Sequence, residues 1–139
     1  MTGSGLERFM SAQEGTYDQA LAQVRRGRKT GHWMWFVFPQ IAGLGRSSTA
    51  QYYAIRDLDE ARSYLADPVL GERLRECSRA VLESGAPSAE AIFGGIDTMK
   101  LRSSMTLFEA AAESDSQLFA DVLDRYFDGE RDPETVRRI

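Results

Sequence analysis

The chain has 139 residues, 42% hydrophobic and 27% charged, which suits one globular domain and excludes an intrinsically disordered segment. Its 21 acidic residues outweigh 17 basic ones, a formal charge of −4 that sets mild repulsion against a polyanion and argues against a nucleic-acid binder. A lone cysteine, Cys77, excludes an internal disulfide, and with a lone histidine, His32, it leaves too few ligands for an ordinary zinc site.

The opening "MTGSGLERFMSAQ" lacks a basic segment followed by a long apolar stretch, so no signal peptide is read and a cytoplasmic location is expected. Leu6, Phe9 and Met10 begin an apolar stripe, and Tyr17, Ala20, Leu21 and Val24 follow helical spacing until Gly27 stops it. The basic run "RRGRK", Arg25 to Lys29, reads either as a solvated helix end or as an anion-attracting rim. Next comes "GHWMWFVFPQIAGLGRSS", which holds both tryptophans and the histidine. Its apolar run "WMWFVF" is far below the ~18 residues of a membrane span. Over residues 32 to 38 strand and buried helix both fit so short a run; the surrounding helices favour a helix ending near Pro39.

Later helix starts are plainer. Ser47 or Ser48 can cap "STAQYYAI", and Asp57 with Glu60 three residues on makes a capping-box-like start. Asp67 and Pro68 open a helix with Leu70, Leu74, Cys77 and Val81 inside, where Cys77 reads as packing. "SAEAIFGG" is a short helix ended by glycine. Asp97 starts another, with Leu101, Met105 and Phe108 on one face. "SQLFADVLDRYF" carries a wide apolar stripe, and Asp132 with Pro133 repeats the Asp-Pro start. About seven helices, no strand pattern and no repeat predict an all-α fold forming a single domain over residues 1–139.

No phosphate loop, nucleophile elbow or zinc-helix motif occurs, and no cofactor is implied. Polar groups in otherwise apolar sequence concentrate in two stretches. In the first, His32, Trp33, Trp35, Gln40, Gly45 and Ser47 could wall a site for a planar ligand with an anionic end. Core packing of the aromatics, a structural hydrogen bond from His32 and an ordinary serine cap are the competing readings. In the second, Lys100, Ser103 and Ser104 fall at i, i+3 and i+4 on one helical face. They could bind an anion, or the lysine could activate a serine; a solvated stripe is the alternative. Buried polar groups need partners, so the two stretches are expected to meet around one concave surface.

At "GHWMWFVFPQIAGLGRSS" and "KLRSSMTLF" the sequence resembles the bacterial domain of unknown function 1810 family, with further matches at "FMSAQEGTYDQAL", "IFGGID" and "YFDGERDPETV". The resemblance implies a compact all-helical array with an armadillo-like flavour and supplies no catalytic residue. A calpastatin-like label attached to that family does not fit this chain, because calpastatins are disordered polar inhibitors. Two functions stay open: a small anionic ligand bound between residues 29–49 and 97–108, with or without hydrolase or transferase chemistry, or a helical protein-interaction module.

Overall fold

The computed structural model describes residues 5–139. Residues 1–4 of the stretch read as lacking a signal peptide lie outside the described residues. The fold is all-helical, with nine helices among the described residues rather than about seven: α1 Glu7–Gln13, α2 Tyr17–Arg26, α3 Met34–Val37, α4 Ser48–Tyr52, α5 Leu58–Ala66, α6 Leu70–Glu83, α7 Ala89–Ala111, α8 Ser116–Phe127 and α9 Pro133–Arg138. The extra elements come from short pieces that periodicity does not resolve. Gly15, at φ 75°, separates α1 from α2, and the aromatic run keeps only four helical residues. No strand forms among the described residues; one isolated parallel bridge joins Ile41 to Ile55.

Caps follow from side-chain chemistry. Ser47 Oγ accepts the Ala50 N–H at 3.0 Å, Asp57 accepts that of Glu60 at 2.9 Å, and Asp132 accepts that of Thr135 at 3.0 Å. Glu60 departs from a true capping box. Its carboxylate accepts the Arg56 N–H at 2.7 Å and pairs with Arg8 at 3.3 Å, so this buried charge is satisfied by a residue before the cap and by α1. Gly27 closes α2 in the left-handed conformation that a side chain disfavours.

Helix α7 is the central element, packing against α5, α8 and α9, while α6 lies against α2, α5 and α8. Leu101, Met105, Leu107 and Phe108 of α7 are fully buried, joined by Tyr64, Leu74, Phe119 and Val122 in one apolar core. Gly94 adopts φ 79°, ψ 173° inside α7, so the helix breaks there and restarts. The break agrees with a glycine stop before Asp97; what the pattern does not show is that the helix resumes without a connecting loop. Cys77 is buried in the core, and burial pushes its thiol up to about 12, leaving it protonated at neutral pH. No helix among the described residues is long and apolar enough to cross a membrane.

Candidate functional site

The two polar stretches meet where the chain leaves α2 and passes beneath the broken α7. Past the Gly27 cap, the Lys29 N–H donates to the Ile92 carbonyl at 2.7 Å, which ties this loop to the first half of α7. The Lys29 ammonium then reaches the other half and pairs with Asp97 Oδ2 at 2.7 Å. Asp97 Oδ1 takes Lys100 at 3.1 Å, so one carboxylate holds two lysines. Each ammonium also lies over an indole: Lys29 is 5.2 Å from the Trp33 ring centroid and Lys100 is 3.8 Å from that of Trp35. Burial alone would raise the Asp97 carboxyl; the hydrogen bonds and charges of the two lysines outweigh it and hold the group below the usual carboxylate range.

The tryptophans have different jobs. Trp33 is 2% exposed, packs against Phe38 and Phe93, and donates its indole N–H to Gln23 Oε1 at 2.7 Å. The same Gln23 oxygen accepts the backbone N–H groups of Thr30 and Gly31, which fixes the entry to the aromatic run. Trp35 is half-buried and stands at the edge of a cleft of about 300 Å³. With Trp33 and Trp35 the only tryptophans, their emission should separate cleanly. Trp33→Phe should leave a red-shifted, iodide-quenchable signal from Trp35, and Trp35→Phe a blue-shifted, protected one. Equal quenching of both variants would contradict this arrangement.

One wall of the cleft is Trp35, Gln40, Leu44 and Gly45; the facing wall is Ile96, Met99, Lys100 and Ser103, with Asp132 and Glu134 at one end. Five of the residues singled out in the sequence therefore share one surface: Trp35, Gln40, Gly45, Lys100 and Ser103. The other four do not line it. His32 is exposed and lies outside the cleft lining. Trp33 belongs to the core, and Ser47 is spent on the α4 cap. Ser104 is fully buried, with a hydroxyl that finds no partner, because the fourth position on turns past Lys100 into the helix packing.

Missing from the sequence reading were Asp97 as the hub, Lys29 as its second cation, and Ile96 and Met99 as the rim. The signal for the last two was an apolar pair at i, i+3 lying off the Leu101–Met105 face. The serine chemistry also differs from expectation. No hydrogen bond joins Lys100 to Ser103 or Ser104; the Ser103 hydroxyl instead has the Met99 carbonyl and Asp132 Oδ2 as acceptors, each at 3.2 Å. Asp132 is in turn committed to capping α9, and Glu134 is paired with Arg137 and Arg138 at 2.8 and 2.9 Å. Among the described residues no group of three or more His, Cys, Asp or Glu is placed to hold a metal ion.

Gln40 is the polar group at this site that the fold leaves unmatched. Its backbone carbonyl accepts the Ile55 N–H at 2.8 Å, yet its side-chain Nε2 is buried without a partner. A model of a family of proteins of unknown function, DUF1810, matches residues 3–139. The crystal structure of the conserved hypothetical protein Rv1873 from Mycobacterium tuberculosis is similar at 47% identity and a TM-score of 0.92, covering 95% of this chain and 94% of that one. No curated protein matches the chain. A match over nearly the whole length places the chain in the DUF1810 family.

Proposed function

We propose that the cleft between residues 29–49 and 97–108 binds a small anionic, partly planar ligand of the nucleotide or sugar-phosphate kind. The observation that carries this reading is the charge count at Asp97. Two ammonium groups, Lys29 and Lys100, share one carboxylate, which leaves Lys100, the one cation in the cleft lining, without a full counter-charge; of the two carboxylates at the end of the cleft, Glu134 is paired with Arg137 and Arg138. An acidic ligand group beside Lys100 would complete the pairing. The planar part would rest on Leu44, Ile96 and Met99, since the Lys100 ammonium already covers a face of Trp35. The proposal stops at binding, because the lysine-activated serine that hydrolase or transferase chemistry would use is not formed.

A thermal-shift screen of nucleotides and sugar phosphates tests it. Wild type should gain roughly 9 °C at ligand a hundredfold above Kd. Lys100→Ala should lose most of that gain while its own unliganded melting point changes little. No stabilisation of wild type at millimolar ligand would overturn the proposal.

A second reading, a helical interaction module without catalysis, has one observation in its favour. Ile96 and Met99 are 76% and 69% exposed on adjacent turns, an apolar pair that a partner helix could cover. An armadillo-like stacking of the helices belongs with that reading, since such arrays present grooves to peptides. Lys100→Ala separates the two: it removes the partner of an anion and leaves the Ile96–Met99 face in place for a helix to cover.

A further inference from the structure

Behind Trp35 the cleft continues into a second, smaller space of about 110 Å³, walled by the Ile41–Gly45 loop, Ala50 and Tyr53. The two spaces have Trp35, Gln40, Leu44 and Gly45 in common, so these residues form a partition rather than an outer wall. Gly45 keeps the partition thin. A Cβ at that position would stand 2.6 Å from the Ala50 Cβ and 3.7 Å from the edge of the Trp35 ring.

The partition carries one polar side chain whose needs the protein does not meet. The Gln40 Nε2 is buried with no acceptor, while its Oε1 is not shut off in the same way on this half-buried residue and is left open to the cleft. An unpaired buried donor is costly, and swapping the two ends of the amide would leave a donor and an acceptor equally unmatched. The group that satisfies a free carboxamide on both sides is another amide-like edge, with a donor and an acceptor side by side. We infer that the site recognises a ligand carrying such an edge, a carboxamide, a lactam or the edge of a pyrimidine-dione ring, paired with Gln40 while its acid group meets Lys100. This inference deepens the reading of the cleft as an anion site and rests on it. It also narrows the ligand class: a plain sugar phosphate has no such edge, whereas a planar heterocyclic acid has both.

Three planar carboxylates separate the two levels of the argument in calorimetric titrations. Orotate has lactam edges and an acid group, 1,3-dimethylorotate lacks the ring N–H donors, and benzoate has only the acid on a ring. Wild type should bind orotate at least about tenfold more tightly than 1,3-dimethylorotate or benzoate, the discrimination expected when a buried polar group is left unpaired by the poorer ligand. Gln40→Leu should bind all three alike, at the benzoate level, because the edge has lost its partner while Lys100 remains. Lys100→Ala should weaken all three together. Equal affinities of wild type for orotate and its dimethyl derivative would overturn the amide-edge inference and leave the anion site standing. Absence of binding by all three at 10 mM ligand (about the weakest affinity such titrations resolve) would overturn both. Should Gln40→Leu melt early, Gln40→Met serves in its place: it keeps the length, removes both hydrogen-bonding groups, and should bind all three alike.

Discussion

Replacing Asp97 with alanine is expected to cost about 3 kcal/mol of stability, the low end for removing one partner of a buried ion pair, because the carboxylate keeps some contact with water. The loss falls mainly on Lys29. Its side chain is only 8% exposed, and without Asp97 its remaining oxygen partner is the Gly31 carbonyl. Lys100 is less affected, having the Trp35 face to rest on. The pH dependence has a definite sign. The Asp97 carboxyl is held below its ordinary value in the folded protein, so its contribution is complete above an unfolded-state pKa of about 3.9 and is lost as pH falls through the lower folded value. Urea denaturation of wild type and Asp97→Asn should therefore differ at pH 7 and converge toward pH 2. A gap between them that stays constant over that range would show that the carboxylate charge is not what stabilises the junction.

Gly71→Ala is expected to be as damaging, against the helix-propensity trend. Within a helix, alanine normally gains about 1 kcal/mol over glycine. Gly71 sits in the first turn of α6, buried, and a Cβ there would run into the Leu65 backbone carbonyl at the end of α5. Backbone cannot swing aside as a side chain can, so α5 and α6 would have to separate. Overpacking of this kind costs about 3 kcal/mol, or about 10 °C in melting temperature for a chain of this size. Gly95 in α7 is the internal control, since nothing lies within 4 Å of its added Cβ. Gly95→Ala should raise the melting temperature slightly. Matching shifts for the two variants would mean that the α5–α6 approach is looser than described.

Local chemistry was legible in the sequence and long-range placement was not. Ser47, Asp57 and Asp132 announced their caps because capping is settled within three residues. Leu101, Met105 and Phe108 announced the inner face of α7 by spacing alone. Which of Trp33 and Trp35 turns inward was not legible. That choice depends on Gln23, a residue of α2, which takes the Trp33 indole N–H. Asp97 looked like a helix start because its two lysine partners come from different places: one is next along its own helix, the other arrives from a distant loop. Ser104 illustrates the opposite error. It was grouped with Lys100 by a spacing of four, yet a long side chain can climb out of the packing where a short one stays inside.

The bridge between Ile41 and Ile55 gives the molecule a handle. Two backbone bonds, Ala42 N–H to the Ile55 carbonyl and Ile55 N–H to the Gln40 carbonyl, each 2.8 Å, pinch the chain at the neck of a loop that includes α4. Between the pinch points Ala50 is the residue buried as deeply as the helices inside, while Leu44 and Tyr53 lean on the core from its edge. The space behind Trp35 thus borders a loop closed at its neck by two hydrogen bonds and braced from outside by Arg8 of α1 and Arg138 of α9.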